Sequence, residues 1–210
     1  MEELQWNEGR AKLWKELGTL EPRQIEARIG LSCRNGRYVV CFLGRDYAVD
    51  IPAGHIHVTS SDPLAGNSDF ELLLLTYLLR SMNIDPSGKW VSEKELPGGS
   101  NFFSGQHRLP FAALEKCFGA DVAGFRRCCQ ALHGRELEFG DASYAFEPLA
   151  RIPLACVLYG QDEEFPPRIT LLFDSTIAYQ LPLDIVLALV HSFAVVLQSP
   201  LHGDTVCPNL

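Results

Sequence analysis

Acidic side chains concentrate near the end of the sequence, at Asp162, Glu163, Glu164, Asp174 and Asp184. The first three precede Phe-Pro-Pro, and proline fixes φ and lacks an N–H donor, so the sequence predicts a rigid acidic turn. Carboxylate oxygens are the preferred ligands of Mg²⁺ and Mn²⁺, and one of them could act as a general base. The alternative is a solvated turn, with Asp184 complementing the dipole of the helix it opens.

A second group of polar and glycine residues lies in residues 86–106, PSGKWVSEKELPGGSNFFSGQ. Lys89 precedes Trp90, and the backbone of Gly98 and Gly99 could approach an anion closely. Long ordered loops often have a functional role, although Trp90 could instead anchor the loop to the core. The sequence therefore predicts ligand contacts in the acidic turn, at Asp174 and in this loop: Lys89, Trp90, Gly98, Gly99, Asp162, Glu163, Glu164 and Asp174.

Histidines give a weaker indication of metal binding. His55 and His57 are two residues apart, so on a strand both face the same side. Together with Asp162, Glu164 and Asp174 they are the weak metal-ligand candidates, but the sequence shows no third ligand beside the histidine pair. A solvated strand end is the alternative.

Three further polar residues fall on apolar helical stripes. Cys129 and His133 are four residues apart, a spacing that a soft metal could use, but packing of the cysteine is the favoured interpretation. His191 follows Asp184 by two helical turns, so these two side chains could form a functional pair. A core histidine bonded to a backbone carbonyl is favoured there.

Composition excludes several classes of protein. The chain has 18 Lys+Arg against 26 Asp+Glu and a net charge of −8, the wrong sign for nucleic acid. Its longest apolar tract, 185–197, is shorter than a membrane span of about 20 residues, so no membrane association is expected. No GxGxxG, GxxxxGK[ST], GxSxG or HExxH motif occurs. The N-terminus lacks a secretory signal and the seven cysteines are scattered, so we expect free thiols and a cytoplasmic protein.

Hydrophobic periodicity predicts the elements that must position these residues. Two helices precede residue 31, strands begin at Arg37, and a helix over 69–82 starts with a capping box formed by Ser68 and Glu71. A helical pair, three strands and an apolar helix complete the order. We predict a single α+β domain over 35–199, mostly antiparallel sheet packed with helices, with a helical N-terminal extension (1–34) and a C-terminal tail (200–210).

Three motifs carry a family resemblance: GKWVSEKELPGG (88–99), GQDEEFPPRITLLFD (160–174) and LPLD (181–184). In this order and spacing they resemble the prokaryotic family named domain of unknown function 3786, over about residues 35–198. No activity is established there to transfer. Members are found mainly in anaerobes, and some are fused to a cysteine-rich iron–sulfur segment, which implies an accessory role in anaerobic redox or corrinoid metabolism. This sequence contains no CxxC pair, and no cofactor follows from it.

Three functions remain open. The first is a cytoplasmic binding or accessory module for a small ligand, cofactor or partner protein, using the Lys89-Trp90 loop and the acidic turn. The second is a metal-assisted enzyme, which requires its carboxylates to converge. The third is a structural subunit that uses Val186, Leu189 and Phe193 of the last helix as an interface. The sequence does not specify the oligomeric state.

Overall fold

The computed structural model describes the backbone of residues 2–199 and the side chains of residues 9–199, so the predicted tail at 200–210 lies outside the described residues. Its helices are α1 (Glu2–Thr19), α2 (Pro22–Ile29), α3 (Ser68–Arg80), α4 (Gly99–Phe102), α5 (Phe111–Phe118), α6 (Val122–Ala131), α7 (Ile177–Gln180) and α8 (Leu183–Gln198). Its strands are β1 (Arg37–Phe42), β2 (Arg45–Asp50), β3 (His55–His57), β4 (Trp90–Ser92), β5 (Arg135–Leu137), β6 (Ala142–Leu149), β7 (Ile152–Tyr159) and β8 (Arg168–Asp174). Two 3₁₀ turns occur at Glu93–Glu95 and Gly105–His107.

The first sheet is an antiparallel meander of β1, β2 and β3. Phe42 pairs with Arg45, which leaves Leu43 and Gly44 as a two-residue turn with φ of 48° and 77°. Positive φ at both positions matches the right-handed twist of the strands. The sharp turn of this meander therefore consists of Leu43 and Gly44.

The second sheet has five antiparallel strands in the order β4-β8-β7-β6-β5. Residues directly opposite each other share a face, so the pairings Ser92–Leu172, Leu172–Ala155, Ala155–Ala145 and Ala145–Arg135 define one face of this sheet. We call it the outer face. Trp90 and Asp174, paired two residues further along, lie on the same face.

Helices cover the opposite, inner face. The Phe193 ring of α8 contacts Phe146 edge-on at 5.1 Å between centroids, and the Phe125 ring of α6 lies 6.1 Å from Tyr144. α8 also packs on α3, whose residues 72–79 are all buried. Burial on all sides makes α3 a central core helix.

The two N-terminal helices pack against α3. Leu17 of α1 and Ile25 of α2 are buried in the same apolar core as the sheets. The Glu71 carboxylate accepts hydrogen bonds from Trp14 Nε1 at 2.7 Å and from Arg10 at 3.0 Å. These contacts fasten α1 along one side of α3.

The start of α3 differs from the capping box predicted at Ser68 and Glu71. The N-cap is Asn67, whose side-chain oxygen accepts the Phe70 N–H at 3.0 Å, and Ser68 is the first helical residue. Glu71 is not available for capping because it bonds to α1. The predicted capping box at Ser68 and Glu71 is therefore wrong, whereas the predicted helix is confirmed.

The fold is α+β, as predicted, with helices on one face of a mostly antiparallel sheet. The segment 86–106, expected to be irregular, contains β4, α4 and both 3₁₀ turns. A capping box does occur there, between Ser92 and Glu95. The strand β5 and the short α7 were not predicted.

Candidate functional site

A cavity of about 370 Å³ lies on the outer face of the five-stranded sheet. Its lining residues come from five separate segments: Pro86, Gly88, Trp90, His133, Arg135, Ala145, Phe146, Glu147, Pro153 and Asp174. We call it the outer-face cavity. Two of the predicted ligand contacts, Trp90 and Asp174, line it.

The sheet order explains the shape of this cavity. Trp90 projects from the edge strand β4 and Arg135 from the opposite edge strand β5. Between them the outer face bears small or compact side chains, Ala145 and Pro153. Large side chains at the edges and small ones in the centre leave a depression across the strands.

Asp174 closes one end of the cavity and fixes its neighbouring loop. The residue is 2% exposed, and its Oδ1 accepts hydrogen bonds from the N–H and hydroxyl of both Ser87 and Thr176. Oδ2 accepts the Gly88 N–H at 2.7 Å. Burial opposes ionisation, but the bonds from Thr176 and Ser87 outweigh it and hold the pKa of Asp174 below its usual value. Asp174 therefore orders the segment that leads into β4.

His133 and Arg135 enter the cavity from the connection between α6 and β5. The His133 N–H bonds to the Gln130 carbonyl and the Gly134 N–H to the Cys129 carbonyl, which is the Schellman pattern at a helix end. His133 has φ of 57°, a position that glycine usually occupies. Gly134 is required next to it, because a Cβ there would lie 2.7 Å from the Phe146 ring.

Three polar side chains of the cavity have no partner within residues 9–199. The indole N–H of Trp90, the His133 ring and the Arg135 guanidinium make no hydrogen bond or ion pair there. Glu147 lies at a bulge of β6, and one of its carboxylate oxygens accepts the Arg151 N–H. Bulges redirect side chains and recur beside functional sites. His133, Arg135 and Glu147 are exposed, so the cavity offers solvent-facing donors and an acceptor.

The acidic turn lies away from this cavity. Asp162 Oδ1 accepts the N–H groups of Glu164 and Phe165, which forms an exposed turn, and Glu163 is also exposed. The turn precedes β8, whereas Asp174 ends it, so the strand separates them by about 20 Å at 3.3 Å per residue. The structure does not bring the predicted carboxylates together.

Lys89, Gly98 and Gly99 have local structural roles. The Lys89 carbonyl accepts the Ser175 N–H, and its exposed side chain does not line the cavity. Gly98 has φ of 77°, and a Cβ on Gly99 would lie 1.9 Å from the Glu93 carbonyl oxygen. Close packing of this loop therefore accounts for both glycines.

The predicted histidine pair lies on β3 of the other sheet. The two rings contact each other edge-on at 5.1 Å between centroids, and His57 Nε2 lies 3.5 Å from the carboxylate of Asp50. Arg37 Nε contacts the same carboxylate oxygen at 2.6 Å. Among the described residues there is no group of three or more His, Cys, Asp or Glu side chains that could hold a metal ion.

The cysteines of the apolar stripe are packed in the core. Cys128, Cys129 and Cys156 are buried free thiols, and burial raises the pKa of each. Cys33 and Cys41 are also free. Cys117 is disulfide-bonded, so the expectation of free thiols is wrong at that residue.

Within residues 9–199, His191 bonds to neither of the two partners that the sequence suggested, Asp184 and a backbone carbonyl. Its Nδ1 lies 3.5 Å from Oδ2 of Asp69 on α3. Val186, Leu189 and Phe193, considered as an interface, are fully buried inside this chain. They are not accessible to a partner while α8 is packed.

A larger groove of about 930 Å³ lies between α1, α3 and the start of α8. Several of its polar groups are already paired: Arg80 bonds Glu16 at 2.7 Å, and the Gln180 amide bonds the backbone N–H and carbonyl of Met82. Its rim bears Tyr179, which is 68% exposed. The groove is the alternative to the outer-face cavity as a ligand site.

Comparisons with known proteins identify the family of the chain. The family model for domain of unknown function 3786 matches residues 21–195, earlier than the start near residue 35 expected from the motifs. Every residue of the outer-face cavity lies inside the match, whereas the larger groove takes one side from α1, outside it. No curated protein and no solved structure matches the chain. Among the described residues, no helix is long and apolar enough to span a bilayer. Because the match extends over most of the sequence, the chain belongs to the family described as domain of unknown function 3786.

Proposed function

We propose that the protein is a binding module for a small organic ligand, and that the ligand occupies the outer-face cavity. The observation that supports this most is the set of unpaired polar side chains, Trp90, His133 and Arg135, around a concave site on a sheet. Binding sites characteristically combine an apolar surface with a few convergent polar groups. Side chains held on strands are also more precisely placed than side chains on mobile loops.

The volume of the cavity is consistent with this proposal. At about 370 Å³ it falls within the range of about 300–1,000 Å³ found for small-molecule sites. The larger groove also falls in that range, but its charged side chains are in part already neutralised by each other. A ligand there would have to replace hydrogen bonds within the protein, whereas a ligand in the outer-face cavity would replace only water on exposed groups.

The test is a thermal-shift screen of small metabolites on the full chain, repeated with single substitutions. We expect compounds that raise Tm to lose their effect in W90A and R135A. Trp90 is half-buried, so W90A should cost less than the about 3–5 kcal/mol of a core tryptophan and keep the fold. Y179A in the groove and R108A on an exposed turn are the matched controls.

Two results would contradict the proposal. One is a set of stabilising compounds whose effect disappears in Y179A and persists in W90A, because this would place the ligand in the larger groove. The other is a screen in which no compound distinguishes the native chain from W90A and R135A.

A further inference from the structure

We infer that the ligand of the outer-face cavity is a planar nitrogen heterocycle, of the size of a purine or pterin, that presents both hydrogen-bond donors and acceptors at its edge. This inference rests on the proposed function and assigns the class of ligand. Three properties of the cavity lead to it: an aromatic side chain in its lining, a donor and an acceptor in the same lining, and a compact volume.

The aromatic surface is Trp90. It is half-buried on the edge strand β4, and within the described part of the chain its ring stacks on no other aromatic side chain. Its backbone pairs with Asp174, whose carboxylate holds the preceding residues Ser87 and Gly88. An indole without an aromatic partner can stack on a flat ring, and base–aromatic stacking contributes about 1–3 kcal/mol.

The polar pair is Arg135 and Glu147. Arg135 presents a planar fork of N–H donors, which suits ring nitrogens and carbonyl oxygens. The second carboxylate oxygen of Glu147 has no hydrogen-bond partner among residues 9–199, so it can accept from a ring N–H or an exocyclic amino group. A hydrogen-bond donor and an acceptor that line the same cavity match a heterocycle whose edge carries both acceptors and donors.

The charge of the cavity argues against a simple anion. Arg135 is accompanied by two carboxylates, Glu147 and Asp174, so a phosphate or carboxylate ligand would be repelled as well as attracted. Asp174 has its own five donors and is not available to a ligand. A neutral ring that uses Arg135 and Glu147 at once avoids this repulsion.

The experiment titrates the full chain with adenosine, guanosine and a pterin, and with benzoate and inorganic phosphate as simple anions, while tryptophan fluorescence is recorded. We expect saturable quenching by at least one heterocycle and none by benzoate or phosphate. Quenching should disappear in W90L. The Kd should rise at least tenfold in R135Q and in E147Q, with R108Q and E163Q as matched exposed controls.

The outcomes separate this inference from the proposed function. Binding of benzoate or phosphate that depends on Trp90, without binding of any heterocycle, would overturn the ligand class and leave the binding module intact. Heterocycle binding that is unchanged in both R135Q and E147Q would also overturn it. If none of the probes produces a response, the ligand class as stated is wrong. The metabolite screen then decides the proposed function separately.

Discussion

At the scale of single residues, Asp174 shows how a side chain suited to metal binding can have a structural role. Its type and its place at the end of a strand suggested a ligand, because carboxylates at strand ends often serve as one. In the structure five donors from Ser87, Gly88 and Thr176 occupy it. Two of these three residues are more than 80 positions away, so no local pattern could have predicted them.

We expect D174N to lower the free energy of unfolding by about 2–3 kcal/mol at pH 7, since an amide replaces an ionised acceptor and turns an N–H group toward other donors. Urea denaturation measures this. The folded pKa is lowered, so the stabilisation is complete above the unfolded pKa of about 3.9 and is lost as the pH falls through the folded pKa. The difference between the native chain and D174N should therefore shrink in that acid range.

D162N is the matched control, because Asp162 also accepts two backbone N–H groups but in an exposed turn. At pH 7 it should change the stability by less than D174N does. Equal losses in the two variants would show that Asp174 does not organise the loop.

At the scale of elements, the central helix α3 depends on residues outside it at both ends. Asn67 caps its start, and the Arg28 guanidinium of α2 donates to the carbonyls of Leu78, Leu79 and Ser81 at its end. Carbonyls of the last helical turn have no partner within the helix. Arg28 supplies those partners and a positive charge at the negative end of the dipole.

R28A should therefore lower the free energy of unfolding by about 2 kcal/mol, because three buried carbonyls lose a charged donor. R28K, which keeps the charge without the planar fork, should fall between R28A and the native chain. R23A, on the exposed side of the same helix, should stay within about 0.5 kcal/mol of native. Urea midpoints compare the four proteins, and an R28A midpoint equal to that of R23A would refute the capping role.

Elements with a long apolar period were predictable, and several short ones were not. The patterns of α3, α8, β6, β7 and β8 extend over seven residues or more. β4 and β5 have three residues each, too few to show a period, and they become strands only by pairing with β8 and β6. The cavity lies between those two short strands. Trp90 could be predicted from its unusual loop, whereas Arg135 and Glu147 carry no local signal.

At the scale of the whole molecule, the two sheets share one apolar core. The Leu43 N–H of the first sheet bonds to the Pro148 carbonyl of the second, and β1 lies against β6. The family match also extends across both sheets. We therefore expect the core to open as one cooperative unit.

Thiol labelling tests this expectation. Cys41 is exposed and should react rapidly with iodoacetamide, whereas Cys129 and Cys156 are buried and burial raises the pKa of their thiols. The last two should be labelled only at the rate of global unfolding, as followed by peptide mass spectrometry. C41S removes the rapid labelling of the Cys41 peptide as a control. Labelling of Cys129 and Cys156 at clearly different rates would show that the core opens in parts.

The irregular segment between α3 and β4 is fastened at two places. Gln180 bonds the backbone N–H and carbonyl of Met82, and Asp174 bonds Ser87 and Gly88. Irregular connections are normally where a chain accepts additional residues. Here both ends of the connection are held, and residues 83, 85 and 86 between them are exposed. An added residue would therefore have to bulge into solvent between the two attachments, and insertions at Met82, Ser87 or Gly88 themselves should be the ones that relatives avoid.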